Sequence, residues 1–157
     1  MVSIPAPGPR VEVASVWTEA TSAEQTETRL TEPIEAALSD NRVVRVYGMD
    51  YPTPDGSAVR DYVHVVDLAD AHVGAIERLA NTGQSFAVNL GTGTGTSVLQ
   101  LVDAVEQVIG RPVPRSIKPR RPGDAPILVA DPGKAGTLLG WRPRFAGLAD
   151  IIATAHA

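Results

Sequence analysis

The chain has 157 residues, 43% of them hydrophobic and 20% charged, which suits one globular domain with a sizeable core. Its formal net charge of −4 argues against nucleic-acid binding over the whole surface. The absence of cysteine excludes disulfides, thiol catalysis and cysteine-ligated metals, and we expect a cytoplasmic protein. We find no signal peptide and no apolar run long enough to cross a membrane.

Residues 1–29 differ from the rest of the chain. They open with several prolines and continue with a threonine- and glutamate-rich stretch that has no apolar period. This composition predicts an irregular, loosely attached leader. Its one strand-like pattern is formed by Val11, Val13 and Val16.

From residue 30 onwards, apolar periodicity predicts strands that alternate with helices. A first helix runs from Leu30 to Leu38, and further helices are predicted at 68–79, 98–109, 133–139 and from 148 onwards. The N-caps of the second and third helices would be Asp67 and either Thr96 or Ser97. Strands are predicted at 43–47, from 59, and at 85–90, 113–117 and 127–130. This alternation predicts an α/β fold.

The stretch from Val59 to Asp67 joins a strand to a helix and contains the first candidate site. Strict alternation would place Arg60, Tyr62 and His64 on one face of the strand. A guanidinium beside a phenol suits an anionic, ring-bearing ligand, because arginine offers a planar fork for phosphate oxygens. The structural alternative, which the pattern alone favours, is an edge strand whose polar face is wet.

A glycine loop, Gly91–Gly95, follows a predicted strand and opens a helix, as a dinucleotide-binding loop would. However, Thr96 stands where the pattern G-x-G-x-x-G requires its last glycine. No strand ending in an acidic residue follows about 20 residues later. A turn that needs close backbone approach is therefore the favoured role.

A basic run in the second half of the chain is the second candidate site. Five of the fourteen positive charges are Arg111, Arg115, Lys118, Arg120 and Arg121, and no acidic residue lies between Glu106 and Asp124. Such a concentration in an acidic protein favours an anionic ligand, with Arg121 on a phosphate and Asp124 on sugar hydroxyls. The alternative is a solvated loop. Nucleic acid is not expected, because no aromatic residue in the run could stack on bases.

Histidine and serine chemistry find little support. The three histidines, His64, His72 and His156, have no metal-ligand spacing, so no metal site is predicted. No G-x-S-x-G motif occurs either.

Several motifs together resemble the UDP-glucose 4-epimerase family. They are Tyr47-Gly48, Asp50 to Gly56, Val59 to His72, Asn89 to Gly93, Arg120 to Asp124, Ala130 to Pro132 and Leu139 to Trp141. Their order and spacing fit the C-terminal half of that family over about residues 30–155. The resemblance implies the substrate-binding portion of an extended short-chain dehydrogenase/reductase. Small mixed sheets with flanking helices and an incomplete Rossmann domain would occupy residues 30–157, after the non-matching leader.

That family interconverts UDP-glucose and UDP-galactose with NAD bound on a Rossmann domain, and a Tyr/Lys pair moves the 4-hydroxyl proton. The resemblance implies six substrate-binding residues. Arg60 and Arg121 would hold the diphosphate, Asp124 the ribose and the backbone near Arg45 and Tyr47 the uracil, with Tyr62 lining the pocket.

The chain departs from the family at the residues that perform the chemistry. It has neither the family's G-x-x-G-x-x-G loop nor a Tyr-x-x-x-Lys motif, and its only lysines are Lys118 and Lys134. Residues 27–29 stand where the family usually has paired asparagines. No catalytic or cofactor residue is therefore predicted, and we expect no NAD binding and negligible epimerase activity from the chain alone.

Three functional hypotheses remain open. The first is a UDP-sugar-binding, catalytically incomplete epimerase-like chain. The second is a partner module that forms a homodimer or docks on a complementary Rossmann-domain chain. The third is the product of a disrupted gene without function.

Overall fold

A computed structural model describes residues 11–15, 31–39 and 42–156. Seven strands and five helices lie within these residues. The strands are β1 (Val11–Ser15), β2 (Val44–Tyr47), β3 (Val59–Arg60), β4 (Phe86–Leu90), β5 (Thr96–Ser97), β6 (Arg115–Lys118) and β7 (Ile127–Leu128). The helices are α1 (Thr31–Leu38), α2 (Val65–Thr82), α3 (Val98–Ile109), α4 (Gly133–Leu139) and α5 (Leu148–His156).

Three small sheets carry the strands. β1 pairs with β4 and β2 with β6, both in parallel. In the third sheet β3 is central, antiparallel to β5 and parallel to β7. This arrangement confirms the predicted α/β class with small mixed sheets and flanking helices. The strand-like pattern in the leader is also confirmed by β1, whereas residues 1–10 and 16–30 lie outside the described part.

The third helix, α3, forms where the sequence predicts it, because its signals are local. Ser97 caps it by accepting a hydrogen bond from the Gln100 N–H at 3.1 Å, while Gln100 Oε1 accepts from the Ser97 N–H at 2.9 Å. Gly110 ends the helix in the left-handed conformation, with φ 73°. The buried stripe of α3 packs against α1 and α5 in the larger core.

The second helix, α2, starts earlier than predicted. It begins at Val65, and its N-cap is His64, whose Nδ1 accepts from the Val66 N–H at 3.0 Å. The predicted cap at Asp67 is wrong because that carboxylate is used elsewhere. Its Oδ2 accepts from the backbone N–H groups of Arg144 and Phe145, both at 3.0 Å.

The side chains of α2 divide into buried and exposed positions. Helical spacing in the sequence predicts a buried stripe that includes Ala71, Ala75 and Ile76, and this prediction holds at Ala71 and Ala75, which are 1% exposed. It fails at Ile76, which is 66% exposed, because this residue lies on the outward side of the helix together with Val73. The outward side of α2 is therefore apolar as well.

The stretch from Val59 to His64 is buried or partly buried on both sides, so the predicted wet face is wrong. Only Val59 and Arg60 form a strand, and Arg60, Asp61, Tyr62 and His64 are all less than 9% exposed. Strict alternation fails because the chain turns into α2 at residue 65 and successive side chains contact different elements. His64, for example, stacks on Phe145 at 4.1 Å and donates from Nε2 to the Thr154 hydroxyl at 2.8 Å.

Trp141 anchors a second, smaller core. Its indole N–H donates to the Asp67 carbonyl at 2.8 Å, and the ring packs with residues of α2, β4 and α4. The position of Trp141 directly after Gly140 predicts a packing anchor, and this prediction is confirmed. In the described residues, no helix combines the length and apolarity needed to cross a membrane, and no group of three potential ligands could hold a metal ion.

Candidate functional site

Arg60 lies at the centre of the candidate site. Its side chain is only 8% exposed, and Nη1 donates to the carbonyls of Val59 at 2.8 Å and Ala125 at 2.9 Å. Nη2 donates to Asp124 Oδ1, also at 2.9 Å. Arg60 therefore fixes the loop that leads into β7 as well as presenting a cation.

Arg121 approaches the same carboxylate from the other side. Its Nη2 lies 3.4 Å from Asp124 Oδ2, and its guanidinium stacks over the Tyr47 ring at 4.4 Å. The side chains of Arg121 and Asp124 are 17% and 12% exposed. Two arginines that are distant in sequence thus converge on one half-shielded carboxylate, a geometry that also suits phosphate oxygens.

Arg120 is a third cation of the site; the sequence analysis includes it in the basic run but assigns it no role of its own. Its guanidinium stacks over Tyr51 at 4.2 Å, and its Nε donates to Asp50 Oδ1 at 2.7 Å. Tyr51 itself is 4% exposed. The sequence shows two consecutive arginines, Arg120 and Arg121, and two tyrosines near Gly48, Tyr47 and Tyr51. Only the pairing of β2 with β6 shows which arginine meets which tyrosine.

Tyr51 has a perturbed ionisation because of this setting. Burial is the main cause that raises the pKa of its phenol, and the neighbouring Asp124 carboxylate acts in the same direction. Arg120, Arg60 and Arg121 lower the pKa but do not cancel the increase. Tyr51 is therefore a neutral phenol stacked beneath the guanidinium of Arg120.

Gly48 leaves room for the Tyr51 ring and for the side chain of Arg120. Its φ is +78°, and a Cβ at this position would lie 2.5 Å from the Tyr51 ring and 2.8 Å from Arg120 Cγ. The backbone there is close-packed as well, since the Gly48 N–H donates to the Lys118 carbonyl at 2.9 Å. Only glycine fits this position without displacement.

The remaining predicted residues lie at different depths. Arg45 is exposed on β2, and Tyr47, two residues on, is half-buried on the same side of the strand. Tyr62 is 4% exposed and belongs to the same core cluster as Tyr51. The structure thus brings Arg60, Arg121, Asp124 and Tyr47 into direct or shared contact, whereas Tyr62 lies in the core cluster and Arg45 is exposed on β2.

The loop before β3 is fixed by Asp55. Its Oδ1 accepts from the N–H and the hydroxyl of Ser57, at 2.9 and 2.8 Å, and its Oδ2 accepts from the Ser97 hydroxyl. Burial acts to raise the pKa of the Asp55 carboxyl, but the hydrogen bonds from Ser97 and Ser57 outweigh burial, so its pKa lies below the usual value. The carboxylate also lies at the N-terminal end of α3, where the helix dipole favours a negative charge.

The glycine loop donates hydrogen bonds to the buried carboxylate of Asp61. This carboxylate is 1% exposed and accepts from the Thr92 N–H at 2.9 Å, the Thr92 hydroxyl at 2.6 Å, the Gly93 N–H at 3.0 Å and the Ala130 N–H at 3.3 Å. A Cβ on Gly91 would lie 2.5 Å from Asp61 Oδ2. The predicted close backbone approach is therefore confirmed at Gly91.

A family model described as GDP-mannose 4,6 dehydratase matches residues 16–153. The match begins inside the segment predicted as a leader. Among curated relatives, the UDP-glucose 4-epimerase of Rhizobium leguminosarum bv. trifolii is 52% identical over 122 residues, which are 78% of this chain and 37% of that protein. That of Bacillus subtilis is 49% identical over 119 residues, 76% of this chain and 35% of that protein. The chain belongs to the UDP-glucose 4-epimerase family of extended short-chain dehydrogenases/reductases.

Solved structures of this family superimpose on the chain. The UDP-glucose 4-epimerase from Bifidobacterium longum, in complex with NAD+ and UDP, matches with a TM-score of 0.76 and 45% identity over 82% of this chain and 38% of that one. The enzyme from Brucella ovis in complex with NAD matches with a TM-score of 0.78 and 40% identity over 94% and 48%. This chain spans about a third of the length of the curated relatives above.

Proposed function

We propose that this chain binds a UDP-sugar through Arg60, Arg121 and Asp124. The observation that carries the proposal is the convergence of the two guanidinium groups on Asp124, at 2.9 and 3.4 Å. A diphosphate offers several oxygens with at least two negative charges, and arginine forks bind such groups with charge-assisted hydrogen bonds. The likeness to an epimerase solved with UDP supports the same assignment.

The other predicted residues would complete the nucleotide site. The uracil would meet the backbone near Arg45 and Tyr47, and Asp124 would accept from ribose hydroxyls as well as hold the arginines. Tyr62 would support the pocket from the core. A chain without cysteine also suits the reducing cytoplasm.

The proposed function is binding without epimerisation by these 157 residues alone. The sequence has no Tyr-x-x-x-Lys motif to transfer the proton. The glycine loop after β4 does not suit the pyrophosphate of NAD either, because the N–H groups of Thr92 and Gly93 donate to Asp61. Turnover of UDP-galactose by the purified chain with added NAD would contradict this part of the proposal.

Isothermal calorimetry with UDP tests the binding proposal. Arg121→Ala should weaken binding by about 1.5–3 kcal/mol, as expected for hydrogen bonds to a charged group. Arg60→Lys keeps the charge but loses the fork, and is preferred to Arg60→Ala because it keeps a second cation beside the Asp124 carboxylate, next to Arg121. Thermal unfolding of each variant shows that it is folded.

Arg115→Ala is the matched control. Arg115 lies in the same basic run but is paired with Asp103 at 3.0 Å, away from Asp124. It should leave UDP affinity within about twofold of the unsubstituted chain, since exposed charges act weakly at physiological salt. Absence of UDP binding by the unsubstituted chain, or an equal loss from Arg115→Ala, would refute the proposal.

A second candidate function, docking on a complementary Rossmann-domain chain or on a second copy, is favoured by α2. Its outward side carries Val65, Val73 and Ile76, which are 72%, 56% and 66% exposed, at helical spacing. Light scattering would reveal a homodimer, and copurification with a separately expressed cofactor domain of a related epimerase would reveal docking. The homodimer and the docking should both be lost in Val73→Glu, which places a charge on this apolar side of α2. A monomer that neither docks nor binds UDP would leave the disrupted-gene hypothesis.

A further inference from the structure

Two consecutive arginines, Arg120 and Arg121, are each stacked on a different tyrosine. Arg121 lies over Tyr47 at 4.4 Å, and Arg120 lies over Tyr51 at 4.2 Å. The tyrosines flank Gly48, whose missing side chain makes room for the Tyr51 ring and for Arg120 Cγ. The two stacks therefore join one short segment of backbone after β6 to β2 and to the loop that follows β2.

Arg120 makes three contacts with a single loop. Besides the stack on Tyr51, its Nε donates to Asp50 Oδ1 at 2.7 Å and its Nη2 donates to the Asp50 carbonyl. The Arg120 guanidinium therefore donates these hydrogen bonds to the protein rather than to a ligand. It is thus suited to fix the backbone that leads into Arg121.

We propose that Arg120 is a positioning residue that sets the reach of Arg121 toward an anionic ligand. The inference rests on the proposed binding of a diphosphate by Arg121. In this arrangement Arg120 fastens the segment after β6 to the loop after β2, and Arg121 projects from the fastened segment toward Asp124. Without Arg120, the guanidinium of Arg121 samples more orientations, and ordering it must be offset by the binding energy.

The contribution of Arg120 to folding is small, which separates the two effects. The side chains of Arg120 and Asp50 are 41% and 76% exposed, and ion pairs with that exposure add little to stability. Loss of Arg120 is therefore expected to reduce affinity while leaving the folded structure in place.

The test is a double-mutant cycle on the full chain, with UDP as the probe and calorimetry as the readout. Arg120→Ala should weaken UDP binding about 5- to 10-fold, in line with the ordering cost of one long side chain. Added to Arg121→Ala it should change affinity less than about twofold, because it acts through Arg121. Independent, multiplying effects would overturn the inference, since they would mean that Arg120 contacts the ligand by itself.

Asp50→Asn distinguishes positioning from simple electrostatics. Removing a negative charge near an anion site should tighten binding if only charge matters. A positioning role predicts the opposite sign, about 2- to 4-fold weaker binding, because the bond from Arg120 Nε to the Asp50 side chain is no longer charge-assisted on both sides and becomes weaker. This variant also keeps the inference testable if Arg120→Ala fails to fold.

The outcomes separate this inference from the proposed function. Absence of UDP binding by the unsubstituted chain would refute both. Binding that is lost in Arg121→Ala but unchanged in Arg120→Ala would refute the positioning role alone. Binding that Asp50→Asn and Arg120→Ala both weaken, with unfolding temperatures near that of the unsubstituted chain, would support it.

Discussion

Replacing Asp61 by asparagine should remove much of the stability of the chain. The carboxylate accepts four hydrogen bonds, two of them from Thr92 and one each from Gly93 and Ala130. Asparagine keeps one acceptor oxygen, but its NH2 group replaces the second carboxylate oxygen. That NH2 group would face the two donors that the second oxygen satisfies in the unsubstituted chain. Because the site is 1% exposed, water cannot take over their hydrogen bonds.

The size of the destabilisation follows from the number of N–H or O–H donors that would face the asparagine NH2 group instead of an acceptor. Each hydrogen bond to a charged group contributes about 1.5–3 kcal/mol, and two are lost in either orientation of the amide. We expect about 3–5 kcal/mol of destabilisation, close to the cost of leaving a buried charged group without its partner. That is a large fraction of the roughly 5–15 kcal/mol by which domains are stable.

Urea denaturation followed by tryptophan fluorescence measures this loss. Asp131→Asn is the matched control, because it removes the same charge from an exposed residue that accepts a single bond, from the Gly133 N–H at 2.8 Å. It should cost about 1 kcal/mol or less, since the asparagine side-chain oxygen can accept the same turn hydrogen bond from the N–H two residues on. A loss below 1 kcal/mol in Asp61→Asn, or equal losses in both variants, would refute the reasoning.

Two further predictions concern pH. The pKa of Asp55 is lower in the folded chain than in the unfolded one, so its contribution to stability is full above the unfolded value and is lost as pH falls through the folded value. Asp55→Asn should therefore flatten the acid side of the stability curve; an unchanged acid limb would contradict this. The pKa of Tyr51 is raised, so its contribution is full below about pH 10 and is lost as pH rises through the folded value. Tyr51→Phe should keep the ring packing, remove a buried hydroxyl without a hydrogen-bond partner and flatten the alkaline limb. Lower stability of Tyr51→Phe at neutral pH would contradict it.

Elements whose signals are local could be predicted from the sequence, and α3 shows why. Its cap, its apolar stripe and its terminal glycine all lie within the helix or next to it. The start of α2 could not be predicted, because Asp67 is a good cap by local rules but binds backbone N–H groups of Arg144 and Phe145, far along the chain. Tertiary competition for one carboxylate decided where the helix begins.

The candidate site divides in the same way. Arg60, Arg121 and Asp124 were expected from the family resemblance, and the structure brings them together. The stacking of Arg120 on Tyr51 could not be predicted, because it depends on the parallel pairing of Tyr47 with Lys118. No periodicity in either segment encodes that pairing. The wet face expected for Arg60 failed because a two-residue strand is too short for alternation to decide burial.

The bridge that Asp124 makes between Arg60 and Arg121 has a kinetic consequence. Two guanidinium groups this close would repel each other, and the carboxylate keeps them together independently of any ligand. The two arginines therefore need not first come together before the proposed diphosphate binds. The association rate is then set by diffusion and by the orientation of the ligand on encounter. The three groups carry a summed charge of only about +1, so steering is weak and the association rate should depend little on ionic strength.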